Sequence, residues 1–270
     1  MTMSELNVEA VIRKTNAILD EAGVQAQTGR TRYDIGRVPT GYRIAQLIDH
    51  TLLKADATEQ DIELLCYEAK LYGFFSVCVN SVYIPLAAQV LADTNVQLCT
   101  VVGFPLGANL SQVKAYEALE AIQAGAHEID MVLHVGALKR RDLVAVFDDI
   151  SAVANVCHRE GEYVCKVILE TSLLTLEEVV IACQIAKRAG ADFVKTSTGF
   201  GGGGATAEHV MLMRQVVGEG MGVKASGGVR SLSDAQTMVA AGANRIGTSA
   251  GVAIARAESG QASASDGNGY

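Results

Sequence analysis

The segment from residue 191 to residue 249 reads ADFVKTSTGFGGGGATAEHVMLMRQVVGEGMGVKASGGVRSLSDAQTMVAAGANRIGTS, and the order of elements in it decides the fold. Short runs at 193–198 (FVKTST), 222–226 (GVKAS) and 245–248 (RIGT) have strand character and alternate with helical patterns at 206–217 and 231–241. Glycines crowd at the ends of these strands: Gly199, then Gly227 and Gly228, then Gly247 ahead of Thr248 and Ser249. A helix between two strands is the crossover that parallel pairing needs, so the segment reads as two consecutive βαβ units.

Working outward, the same alternation fills most of the chain. Further strands are predicted at 47–52, 74–79, 97–103, 128–134 and 163–169, and further helices at 58–72, 82–92, 110–124, 141–160 and 176–189. Gly73 and the glycines of the Ala-Gly-Ala joints at 124–126, 189–191 and 241–243 are expected to end helices in a left-handed conformation. Eight strands alternating with helices suit an open doubly wound sheet or a closed barrel. The open sheet carries its phosphate fingerprint after the first strand, where this chain has Thr51-Leu52-Leu53-Lys54 and no glycine. Glycines after strands six to eight match the phosphate corner of a closed (β/α)8 barrel. The expected fold is that α/β barrel with an N-terminal helical extension. Residues 4–22 place Val8, Val11, Ile12, Thr15, Ile18 and Leu19 at helical spacing before Gly23. Three parts are expected: 1–41, a helix and linker packed on the barrel; 42–256, the barrel; and 257–270, a small, polar, mobile tail.

Composition excludes several functions. With 49% hydrophobic residues and 19% charged, the chain can bury a large core. A net charge of −8 argues against a nucleic-acid surface. No apolar run is long enough to suggest a membrane span or a leader. Six cysteines without a Cys-x-x-Cys pair suggest reduced thiols and a cytoplasmic protein. His50, His127, His134, His158 and His209 lack metal-ligand spacing, and the Gly-x-Ser-x-Gly, Walker A and first-strand Gly-x-Gly-x-x-Gly motifs are missing. No metal and no cofactor are expected.

Three lysines carry the chemical argument. Lys166, Lys195 and Lys224 fall in successive strands at equal intervals of 29 residues, and so are expected on neighbouring strands at comparable height. A strand lysine in apolar surroundings is costly unless paired or functional, and carboxylates to neutralise three of them look few. Alternation aligns Lys195 with Ser197 and Gly199, Lys224 with Ser226 and Gly228, Asp130 with Val132 and His134, and Asp49 with Thr51. Asp49, Asp130, Lys166, Lys195 and Lys224 are therefore predicted to point into the barrel, toward its C-terminal mouth. A second cation about 4 Å away costs an ammonium about 4 kcal/mol at an effective dielectric of about 20. Lys195, flanked on both sides, is expected to give up its proton first and serve as an amine nucleophile that condenses with a carbonyl. Lys224 would supply the field, and Asp130 would hold its neighbours protonated and pass a proton through water. Gly199, Gly227, Gly228 and Gly247, with Ser249 near the start of a short helix, are expected to cradle a phosphate.

These residues resemble a known family. The run from Phe193 to Thr206 with Val223-Lys224-Ala225-Ser226-Gly227-Gly228-Val229-Arg230 is similar to deoxyribose-phosphate aldolases. Leu47–Leu53, Gly103–Gly107, Glu128–Val132 and Lys166–Thr171 extend the likeness to about residues 42–254. The resemblance implies a metal-free TIM-barrel aldolase that cleaves 2-deoxy-D-ribose 5-phosphate to D-glyceraldehyde 3-phosphate and acetaldehyde. It matches Lys195 to the Schiff-base lysine, Asp130 and Lys224 to the proton-relay acid and the lysine that perturbs the nucleophile, and Gly199, Gly227, Gly228, Gly247 and Ser249 to phosphate-binding positions; Asp49, Thr51 and Lys166, inside the barrel, are expected to contact the substrate as well. Cys78 matches a position near the aldehyde end and receives no role. Phe200 and Ala250 replace polar phosphate contacts found in some relatives. Tyr270 matches a terminal tyrosine that assists proton transfer in some of them. The expected partners are a small phosphorylated sugar and further copies of the chain, as a homodimer or higher homo-oligomer. Rival readings are another sugar-phosphate lyase or transaldolase, a flavin-binding barrel, and a barrel that binds sugar phosphates without turnover.

Overall fold

The computed structural model describes residues 2–27, 35–38 and 40–261. Its eight parallel strands close in sequence order into a barrel: β1 (Ile48–Leu52), β2 (Ser76–Val79), β3 (Gln97–Val102), β4 (Glu128–Val132), β5 (Val164–Ile168), β6 (Phe193–Lys195), β7 (Gly222–Ser226) and β8 (Arg245–Thr248). The helices are α1 (Val8–Glu21), α2 (Glu59–Tyr72), α3 (Ile84–Val90), α4 (Ser111–Gln123), α5 (Val135–Lys139), α6 (Leu143–Glu160), α7 (Leu176–Arg188), α8 (Ala207–Val217), α9 (Leu232–Ala240) and α10 (Gly251–Glu258). The described chain is thus the expected (β/α)8 barrel.

Local sequence starts and stops these helices. Thr58 with Asp61, Thr175 with Glu178, and Ser231 with Asp234 form capping boxes at the heads of α2, α7 and α9, satisfying amides that the first helical turn leaves open. Gly73 ends α2 at φ 68°, and the Ala-Gly-Ala glycines Gly125, Gly190 and Gly242 take φ 116°, 83° and 113° as the chain turns into a strand. Most of the apolar core lies between the strands and the helical layer, drawing on Ile129, Met131, Val167 and Val194 from the outward strand faces and on Val179, Ala182 and Met213 from the helices.

Several boundaries differ from the sequence reading. β4 stops at Val132, so His134 does not continue the strand; it caps α5, its Nδ1 accepting from Ala137 N at 3.3 Å. β6 holds three residues, Phe193–Lys195, and the chain bends into the glycine loop from Gly199. A boundary at residue 256 would cut α10, which runs to Glu258. The Glu258 carboxylate accepts from the amides of Ile44 and Ala45, the latter at 3.2 Å, so this residue ties the end of the barrel to its beginning. α1 lies on α7 through buried Leu19, a 2.9 Å bond from Gln184 to Asn16, and an ion pair between Arg188 and Asp20.

One buried lysine escaped sequence reading. Lys114 on α4 is fully enclosed, with Nζ 2.7 Å from Asp149 of α6 and donating to Val132 O at 2.9 Å. Its stem needs Gly103, where an added methyl would sit 2.9 Å from Lys114 Cε.

Candidate active site

The inside of the barrel is charged. Asp49, Glu128, Asp130, Lys166, Lys195, Lys224 and Arg245 are all buried, at most 6% exposed, on the inward faces of β1, β4, β5, β6, β7 and β8. Arg245 Nη1 lies 3.0 Å from both Asp49 and Glu128. Lys224 Nζ lies 2.5 Å from Asp49 and 2.8 Å from Asp130. Lys166 Nζ lies 2.6 Å from Asp130 and 2.7 Å from Glu128. These contacts close a ring of alternating charge: Arg245, Asp49, Lys224, Asp130, Lys166, Glu128 and back to Arg245. Every member touches two others of opposite sign within the ring, so the six ions balance, as buried ions must.

Lys195 stands outside this ring. Among the described residues it has one carboxylate partner, Asp130 Oδ2 at 2.8 Å. Register explains why. Lys166 pairs with Phe193, whereas Lys195 pairs with Ile168 and with Lys224. Lys166 is therefore a layer deeper than the other two lysines. The expectation of three lysines at one height is corrected by this stagger. The expectation that carboxylates are scarce is corrected too, since three reach the cluster. Four cations meet three anions, and the fourth cation is Lys195, at the C-terminal end of its strand.

The electrostatics follow the ring. Burial alone would raise the Asp130 carboxyl, but Lys166, Lys195 and Lys224 hold it well below the usual carboxylate range. Asp49 is likewise held low against burial by Lys224 and Arg245. Burial disfavours the charged forms of Lys166, Lys224 and Arg245, yet their carboxylates raise all three above their ordinary values. Burial also raises the Cys99 thiol, which donates to Asp130 at 3.2 Å. Cys78, Cys99 and Asp130 offer a metal-like trio of ligand atoms within 4.8 Å of one another. The donor set fits a cation poorly, because Asp130 is already shared by three lysines.

Above the lysines, two loops meet at the mouth. Ala205 N donates to Gly227 O at 2.9 Å, and a methyl on Gly204 would come within 2.3 Å of that same oxygen. Gly199, Gly227 and Gly228 take φ 86°, 82° and 79°, and the positions of a side chain on Gly199 or Gly228 are open space. Glu170, itself at φ 56°, accepts from the Thr198 hydroxyl and, at 3.3 Å, from Thr198 N. Ser197 Oγ is buried without a hydrogen-bond partner among the described residues. Gly247 lies deeper than the loops, where a methyl would crowd Lys224 Cε at 3.0 Å. It makes room for that lysine. Ser249 is exposed just past β8, and the helix opens at Gly251 with Ala250 as its cap. Thr51 is half-buried and donates to Asp49 O at 2.8 Å. Phe200 is exposed and meets Phe104 edge-on, with ring centroids 5.2 Å apart. Tyr270 lies outside the described residues.

Glu128 and Arg245 are the cluster members that sequence reading missed. The alternation that runs upward from Asp130 also runs downward to Glu128, which shares its face. Arg245 opens β8 two residues before Gly247 and had the same signal. A cavity of about 570 Å³ lies at the opposite, N-terminal mouth, lined by Phe75, Gln97, His127, Tyr163, Glu128 and Arg245 among others. It is separate from the loops above Lys195.

Comparison with known proteins places this geometry. The DeoC/LacD family aldolase profile matches residues 43–258. The chain is 60% identical over 211 residues to a deoxyribose-phosphate aldolase of Thermoanaerobacter sp. (strain X514), covering 78% of this chain and 95% of that protein. It is 62% identical over 213 residues to one from Histophilus somni (strain 2336), covering 79% and 94%. Among solved structures, a tetrameric deoxyribose phosphate aldolase from Aeropyrum pernix superposes with a TM-score of 0.75 at 38% identity, covering 81% of this chain and 92% of that one.

Proposed function

Because the chain belongs to the DeoC/LacD aldolase family, we propose that it cleaves 2-deoxy-D-ribose 5-phosphate reversibly to D-glyceraldehyde 3-phosphate and acetaldehyde through a Schiff base on Lys195. The observation that carries the residue assignment is the charge count: six ions pair in a balanced ring, and Lys195 is the cation left over. Loss of its proton breaks one ion pair, whereas loss from Lys166 or Lys224 breaks two. Lys195 is thus the amine that can attack a carbonyl at the least cost in ion pairs.

The steps follow from that amine. Lys195 Nζ adds to C1 of the open-chain sugar, and water leaves to give an iminium. The 3-hydroxyl gives up its proton, the C2–C3 bond breaks toward the iminium, and glyceraldehyde 3-phosphate departs. The enamine takes a proton at C2, and water hydrolyses the new iminium to acetaldehyde and free Lys195. Asp130 keeps Lys224 and Lys166 ionised beside the reacting carbons, and Lys224 with Asp130 passes protons through water. The Ser197 hydroxyl has a free bond to give to a substrate hydroxyl. Gly199, Gly227, Gly228 and Ser249 at the loop mouth receive the phosphate, their backbone amides acting as donors. Thr51, Asp49 and Lys166 support the aldehyde end from below.

Assembly into a homo-oligomer is supported by the tetrameric relative. A cytoplasmic setting is supported by six buried, unpaired cysteines. Among the described residues no helix is long and apolar enough to cross a membrane. Borohydride reduction in the presence of acetaldehyde tests the proposal. One ethylated lysine, mapped to position 195 and lost in Lys195→Ala, is expected; an adduct that persists in that variant overturns the assignment.

A further inference from the structure

We infer that Arg245 and Glu128, at the N-terminal end of the barrel, are positioning residues that set the pH at which Lys195 becomes nucleophilic, through the charge balance of the ring. This rests on the Schiff-base reading above. Neither residue contacts Lys195. Arg245 reaches Asp49 and Glu128 through Nη1, and its guanidinium carbon lies over the Phe75 ring, 3.4 Å from the centroid. Glu128 holds Arg245 on one side and Lys166 on the other. Together they close the ring below and face the N-terminal cavity.

The charged and titratable groups around Lys195 come from every strand but the one that carries it: Asp49 on β1, Cys78 on β2, Cys99 on β3, Glu128 and Asp130 on β4, Lys166 on β5, Lys224 on β7 and Arg245 on β8. With lysines and arginine charged and the three carboxylates ionised, the cluster carries one surplus positive charge. Release of the Lys195 proton to water removes that surplus. If Arg245 is replaced by a neutral side chain, the fully protonated cluster is already balanced, and the Lys195 proton is held more tightly. If Glu128 is replaced by a neutral side chain, the surplus doubles, and the proton leaves more readily. Two substitutions that break the same ion pair therefore push the reaction in opposite directions. Loss of structural support alone would push both the same way.

The experiment measures the rate of borohydride trapping with acetaldehyde across pH, on folded protein judged by circular dichroism. Arg245→Met should move the half-maximal pH up by about one unit, and Glu128→Gln down by about one unit. The double variant Arg245→Met/Glu128→Gln keeps the wild-type count and should restore the wild-type midpoint. Arg245→Lys keeps the charge and should do the same. Shifts of equal sign, or unmoved midpoints in both single variants, overturn the inference. If a single variant does not fold, a displaced midpoint in the double variant or in Arg245→Lys overturns it. Failure of the wild-type protein to trap acetaldehyde at Lys195 would instead overturn the Schiff-base reading.

Discussion

Lys224→Met isolates the field at the nucleophile. Lys195 Nζ and Lys224 Nζ each lie 2.8 Å from the same oxygen, Asp130 Oδ2, so they are no more than twice that distance apart. Two unit charges about 5 Å apart at an effective dielectric of about 20 repel by about 3 kcal/mol. Removing the Lys224 charge therefore favours the ammonium form of Lys195 by that amount, equivalent to about two pH units or roughly a hundredfold in reactive amine. The substitution also takes one of the two cations from Asp49, which Arg245 still holds at 3.0 Å, so the barrel is expected to fold. The assay is single-turnover trapping of acetaldehyde across pH, which bypasses the later proton transfers. The midpoint of the rate should rise by about two units in Lys224→Met and stay near wild type in Lys224→Arg. A wild-type midpoint with only a lowered plateau would refute the field argument and leave Lys224 as a proton donor alone.

Lys114→Met strands the Asp149 carboxylate in the interior and should cost about 3–5 kcal/mol, read as a lower urea midpoint. Gly204→Ala forces a methyl against Gly227 O, and should raise KM for the phosphorylated sugar about tenfold while acetaldehyde trapping at Lys195 stays near wild type. Glu170→Ala frees Thr198 from its carboxylate and should likewise raise KM more than it lowers kcat. The ring predicts a broad plateau of thermal stability. Asp49 and Asp130 are held low, so their contribution is complete above the ordinary carboxylate value of about 4 and fades as pH falls through the lower folded values. Lys166 and Lys224 are held high, so theirs is complete below about 10.4 and fades as pH rises through the higher folded values. A steep fall in the ring's contribution between about pH 5 and 9 would contradict these directions.

The fold was legible because each strand and helix carries its own period and its own glycine stop, and those signals are local. The end of β6 is an exception: the run Phe193–Thr198 reads as one strand, and the strand stops at Lys195. α5 and α10 were harder. Five residues from Val135 are too few to display a helical period, and α10 lies in a small-residue stretch whose polar end, Glu258, is drawn in by backbone amides over two hundred residues earlier. Lys114 was invisible for a similar reason. A lysine on an amphipathic helix looks like a solvated charge until a carboxylate on another helix, Asp149, is brought to 2.7 Å.

The site divides along the same line. Even spacing of Lys166, Lys195 and Lys224 identifies the strands that hold them, but barrel stagger sets their depth, and stagger depends on pairing around the whole circle. Reading repulsion between neighbours selects Lys195 because two lysines flank it. The ring selects the same residue for a different reason: every other cation is shared by two carboxylates. The two accounts part at Arg245, which touches no lysine and adds nothing to repulsion between neighbours, yet supplies the charge that leaves Lys195 in surplus. A nucleophile defined by its neighbours would be indifferent to Arg245→Met; one defined by the count of the buried cluster would respond to it, and would respond in the opposite sense to Glu128→Gln.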